Sequence, residues 1–259
     1  MLNQLRKDNP LIICITNDVV KNFTANGLLA IGASPAMATE KLEMEEFLRH
    51  AGALLINIGS IEAGDIDNMM SAAKFANQHD VPIVLDPVAC GASKFRKDFC
   101  LKLLGTYDVA VIRGNASELQ ALIGDASMKG TDADTSLSTE TVALNANKQF
   151  GCAIVVTGKT DAICVDGKVS LIDNGSELLT KVTGGGCLLG AVVASFIYNE
   201  TKPTLEVLTE ALTTYTVASE FAEKSPNGTL PGHFAVHLID QLYSIQESDV
   251  AENRLVKEV

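Results

Sequence analysis

The chain has 259 residues, 47% of them hydrophobic, enough to bury a large core. Its formal net charge of −12 disfavours nucleic acid and anionic membranes as partners, so an anionic substrate would need local help from glycines, a metal or a placed arginine. The six cysteines form no C-x-x-C pair, Met1 to Pro10 lacks the apolar centre of a signal peptide, and no run reaches the roughly 18 apolar residues of a membrane helix; a soluble, cytoplasmic protein with free thiols is expected.

Short β-branched runs predict buried strands at 11–16, 53–59, 81–86, 108–114 and 152–158. Apolar residues recurring every three or four positions predict helices between them, at about 17–31, 62–79, 93–104, 115–123 and 138–150. After Gly158 the rhythm changes. DAICVDG and KVSLIDNG meet around Asp166-Gly167 and predict an antiparallel hairpin at one sheet edge. Three helices follow, at about 186–199, 203–223 and 231–246, with Pro203 and Pro231 near two of the starts. The alternation predicts an α/β fold of three α/β/α layers around a mostly parallel sheet. No repeat or Pro/Gly/Ser-rich linker divides it, so 1–259 reads as one domain. Residues 130–138 read as an exposed polar loop and 247–259 as a frayed polar tail.

Thr183-Gly184-Gly185-Gly186-Cys187 runs directly into LLGAVVASFIY. Glycines without Cβ atoms let the backbone approach a ligand closely, and the first-turn N–H groups of the helix then point at it, which makes an anion site. Cys187 stands where a phosphoryl-transfer enzyme needs a base or an orienting group. Further polar residues lie past predicted strand ends, where parallel sheets place their sites: Asp86-Pro87-Val88, Arg113-Gly114-Asn115-Ala116-Ser117-Glu118 and Thr157-Gly158. Asn115 and Glu118 also fit a capping box that needs no chemistry. Alternatively, Glu118 holds Mg²⁺ or its waters, an ion that takes few carboxylates plus phosphate oxygens.

With these motifs in order, the chain resembles the hydroxyethylthiazole kinases of thiamin synthesis, within the ribokinase-like superfamily. The resemblance runs over about 11–240 through ITNDVVKNFTANGLLAIGASPAM (15–37), VLDPVACGAS (84–93), VIRGNASE (111–118), VVTGKTD (155–161) and VTGGGC (182–187). The cysteine is its sharpest element, since most ribokinase-like enzymes resemble one another in carrying Asp there. The resemblance implies thiazole contacts at Met37 and Gly184, with Asn17 a further candidate for that pocket. It implies ATP contacts at Arg113 and Thr157, with Gly185 and Gly186 in the anion hole, and places Asp86 and Glu118 at Mg²⁺. Cys187 falls beside the substrate hydroxyl. It also implies no lid domain and a homotrimer with pockets at subunit contacts. Gly185 departs from the pattern, because the family often has a side chain there, and implies a looser backbone.

The implied reaction moves the γ-phosphoryl group of ATP to the primary alcohol of 4-methyl-5-(2-hydroxyethyl)thiazole. A related kinase for a hydroxymethylpyrimidine or a sugar, or a thiazole- or nucleotide-binding regulator without catalysis, are the alternatives; Cys187 argues against the first. His233 and His237 are four apart on a predicted helix but lack the Glu of a zinc-hydrolase motif, and read as structural.

Overall fold

A computed structural model describes residues 1–124 and 137–259. Most of the loop expected at 130–138 therefore lies outside the described residues. Among these, the sheet has nine strands in the order β2-β1-β3-β4-β5-β6-β7-β8-β9. The first six in space are β2 (Ser34–Ala36), β1 (Leu11–Ile15), β3 (Ala53–Asn57), β4 (Ile83–Asp86), β5 (Val111–Asn115) and β6 (Ala153–Thr157), all parallel. The chain then turns back on itself through β7 (Asp161–Val165), β8 (Lys168–Ile172) and β9 (Val256–Glu258), which pair antiparallel. Asp166 and Gly167, both at positive φ, make the two-residue turn that the sequence predicted.

Two hydrophobic clusters, one on each face, hold the layers together. One face is covered by α1 (Leu2–Asp8), α2 (Lys21–Ile31), α8 (Gly185–Phe196), α9 (Leu205–Lys224), α10 (Pro231–Ser244) and α11 (Glu247–Asn253). The other is covered by α3 (Met44–Leu48), α4 (Ile66–Gln78), α5 (Lys94–Leu104), α6 (Ala116–Ile123) and α7 (Thr139–Phe150). Alternation along a strand sends successive side chains to opposite clusters: Ile12 and Cys14 pack toward α8, Ile13 and Ile15 away from it. Each fully buried Ile or Leu contributes about 1.5–3 kcal/mol, which accounts for the dense apolar strands. Met69 of α4 is buried in the core and Met70 packs partly against it.

The predicted helices are present with ends shifted by a few residues, and α1, α3 and β2 are additional. The largest difference is at the carboxyl end. The segment expected as a frayed tail forms α11 and β9. Val250 is buried, β9 pairs with β8, and Asn174 fastens the turn by donating to the Asn253 carbonyl and accepting from the Leu255 amide. Two apolar residues, the buried Val250 and the partly buried Val256, anchor this polar segment, too few to produce a periodic signal. Among the described residues, no helix is long and apolar enough to cross a membrane.

Candidate active site

The parallel strands all end at one edge of the sheet, and their period of two decides which side chains meet there. Leu55, Val84, Val111 and Val155 belong to the cluster beneath α8. Asn57, Asp86, Arg113 and Thr157, each two residues further along, therefore turn to the same side. Asn57 and Asp86 are directly paired across β3 and β4. Above this row stands the first turn of α8. Gly184, its N-cap, has φ 95°, and Gly186 and Cys187 follow in the second and third helical positions, where no intrahelical carbonyl reaches the N–H groups.

A continuous polar network joins these residues. The Arg113 Nη1 lies 3.5 Å from Asp86 Oδ2, and its Nη2 donates to the Thr157 hydroxyl at 3.1 Å. Asn57 Nδ2 donates to Asp86 Oδ2 at 2.7 Å, and Asn17 Nδ2 donates to Asn57 Oδ1 at 3.1 Å. The same Asn17 nitrogen is 3.7 Å from Cys187 Sγ. Asp86 is fully buried, and its Oδ1, like Arg113 Nε, has no hydrogen-bond partner among the described residues. Burial pushes the Asp86 carboxyl up to about 6, against the pull of Arg113 and the Asn57 N–H. A Cβ at Gly186 would stand 3.2 Å from both terminal nitrogens of Arg113, so this glycine lets the helix end lie against the guanidinium.

A helix start alone lowers a thiol's pKa. Cys187 goes the other way: burial raises it, the Asp86 charge adds to the rise, and the Asn57 and Asn17 amides and Arg113 only partly oppose it. The balance favours the thiol over the thiolate. Gly185 is packed tightly rather than loosely. A Cβ there would meet the Leu179 carbonyl at 2.8 Å, and its own carbonyl accepts from the buried Tyr215 hydroxyl at 2.6 Å.

Glu118 does what a capping box requires: Oε2 accepts from the Asn115 amide while Asn115 Oδ1 accepts from the Glu118 amide, both at 2.9 Å. Its other oxygen accepts from the Ala89 amide at 2.8 Å, which ties α6 to the turn after β4. Each oxygen keeps a lone pair. Gly184 packs beside Val20 and Phe23 of the α2 start. Met37 stands one residue beyond β2, half-buried against the cluster under α8. A cleft of about 820 Å³ lies at the opposite end of the strands, lined by Tyr107, Phe150 and Lys202 among others, and none of these site residues borders it. His237 meets the Pro226 carbonyl at 2.9 Å, a structural contact.

Three residues without a predicted role join the site. Asn57 is central to the network. Asp161, at the start of β7, accepts from the Gly158 amide at 2.9 Å and closes the turn after Thr157; burial pushes it up to about 6. Arg96 of α5 donates to the carbonyls of Ile58, Gly59 and Val88, fastening the turns after β3 and β4. Asn57 had a signal, its parity with Leu55. Asp161 had only its place in VVTGKTD, and Arg96 had none.

The chain is similar to known proteins. Residues 2–248 match the model of the Hydroxyethylthiazole kinase family. A hydroxyethylthiazole kinase of Macrococcus caseolyticus is 74% identical over 258 residues, covering 100% of this chain and 99% of its own. The solved hydroxyethylthiazole kinase of Pyrococcus horikoshii superposes with a TM-score of 0.90 at 40% identity, over 100% of this chain and 97% of that one. A ribokinase-like superfamily protein from Enterococcus faecalis, 14% identical, matches with a TM-score of 0.65 over 92% of this chain and 88% of its own, a likeness of fold. The chain belongs to the hydroxyethylthiazole kinase family.

Proposed function

We propose that this chain transfers the γ-phosphoryl group of ATP to the hydroxyl of 4-methyl-5-(2-hydroxyethyl)thiazole, in thiamin synthesis or salvage. Family membership supports the reaction, and one observation carries its placement: the row Asn57, Asp86, Arg113 and Thr157 faces the open first turn of α8, with Cys187 beside it. Phosphoryl transfer asks the protein chiefly to position the reactants and to place positive charge at the transferred oxygens. The Gly186 and Cys187 amides and the helix dipole supply partial charge, and Arg113 supplies a fixed cation. Thr157 and Arg113 contact ATP in this reading, while Met37, Gly184 and Asn17 bound the thiazole pocket.

The residues present fit Mg²⁺. Asp86 Oδ1 is a buried acceptor without a partner among the described residues, and Glu118 has two oxygens with spare lone pairs. Mg²⁺ is an ion that takes few carboxylates together with water and phosphate oxygens. Asp86 and Glu118 would hold it, and its charge would neutralise the phosphate oxygens. The neutral Cys187 thiol orients the alcohol and accepts its proton only weakly. We place the complete pocket at a contact between copies of the chain, in a trimer.

Purified protein given γ-labelled ATP, Mg²⁺ and equal concentrations of the thiazole alcohol, a hydroxymethylpyrimidine and ribose is expected to label the thiazole. A pyrimidine alcohol preferred by about tenfold, roughly 1.4 kcal/mol of transition-state binding, would overturn the substrate assignment.

A further inference from the structure

We propose that Asn57 is a positioning residue of phosphoryl transfer, fixing which end of the Asn17 carboxamide faces Cys187. The inference rests on the roles of Asp86 and Cys187 proposed above. A carboxamide has a donor end and an acceptor end, and turning it over exchanges them. At Asn57 both ends are committed. Nδ2 donates to the Asp86 carboxylate at 2.7 Å, while Oδ1 accepts from the Gly59 amide at 3.0 Å and from Asn17 Nδ2 at 3.1 Å. The reversed amide would set an oxygen against a carboxylate and an NH₂ against two donors, in a side chain only 1% exposed. Asp86 and the Gly59 amide thus hold Asn57 in one orientation.

That orientation passes to Asn17. Its NH₂ must supply one hydrogen to Asn57 Oδ1, and the same nitrogen lies 3.7 Å from Cys187 Sγ. The sulfur therefore faces an N–H and not a carbonyl. A carbonyl there would take the S–H proton for itself; an N–H leaves the S–H free to meet the substrate hydroxyl. The absence of a side chain at residue 59 is part of the device, because a Cβ at Gly59 would come within 2.6 Å of Asn17 Nδ2.

The test compares Asn57→Ser, Gly59→Ala, Asn17→Ala and the double variant Asn57→Ser with Asn17→Ala, in steady-state kinetics with ATP, Mg²⁺ and the thiazole alcohol. Asn57→Ser is expected to lower kcat by about 10- to 100-fold, the usual effect of removing a group that orients a reacting side chain, with little change in KM for ATP. Gly59→Ala, whose Cβ would come within 2.6 Å of Asn17 Nδ2 and 3.0 Å of Asn57 Oδ1, disturbs the same Asn57–Asn17 contact and should lower kcat in the same way. The Asn57 amide also meets Cys187 directly, so the double variant should lose somewhat more than Asn17→Ala alone but less than the product of the two single losses. Wild-type kcat in a folded Asn57→Ser protein, or losses that multiply in the double variant, overturns the inference. If Asn57→Ser does not fold, Gly59→Ala decides, and wild-type kcat there overturns it. A wild-type protein inactive on the thiazole alcohol overturns the functional reading and this inference together; active wild type with unaffected variants overturns the inference alone.

Discussion

At Cys187 two electrostatic influences of opposite sign meet. The first turn of α8 favours the thiolate, while burial and the Asp86 charge favour the thiol and prevail. Cys187→Ala is expected to lower turnover by about 10²-fold, the lower end of the range for losing a positioned proton-transfer group, with ATP affinity little changed. Cys187→Asp should keep activity or raise it, because a carboxylate accepts the alcohol proton at neutral pH. The two proteins should also differ in pH dependence. With the thiol raised above its ordinary value, wild-type kcat should show no thiol inflection below about pH 8, whereas kcat of Cys187→Asp should fall as acid protonates the new carboxylate. An Ala variant with wild-type kcat would reduce Cys187 to packing.

In α6 one carboxylate has a structural task and a proposed chemical one. Glu118 closes the capping box and also holds the turn after β4 through the Ala89 amide. Glu118→Gln retains one acceptor oxygen where the carboxylate has two, so one amide loses its partner at a cost of about 0.5–1.5 kcal/mol, readable by urea unfolding. If Glu118 also organises Mg²⁺, kcat at low Mg²⁺ should fall far more than stability does, and raised Mg²⁺ should partly restore it; unchanged Mg²⁺ dependence would leave Glu118 as a cap. Long elements such as α9 were legible because a pattern of 3.6 or 2 repeats often enough to stand out, whereas α1, α3 and β9 span only three to seven residues. Asp86, Arg113 and Thr157 were legible as polar residues ending apolar strands. Asn57 ends one too, but in ALLINIG a lone amide reads as a strand cap until its register with Asp86 is known. Asp161 depends on the antiparallel return of β7, and Arg96 on a reach across two turns, neither of which local pattern encodes.

Across the whole molecule, both borders of the nine-stranded sheet are strands of three residues: β2 with Pro35 at its centre, and β9 with the charged pair Lys257 and Glu258. An open strand border offers unpaired amides and carbonyls to any passing chain, and short length, proline and charge are the means by which it is blunted. The carboxyl-terminal segment is therefore expected to guard the sheet border against aggregation. Without residues 247–259, β8 would present the five-residue run KVSLI as a bare border. Light scattering on that shortened protein is expected to show self-association that grows with concentration. A shortened protein that remains as dispersed as the full chain would assign the segment to anchoring alone.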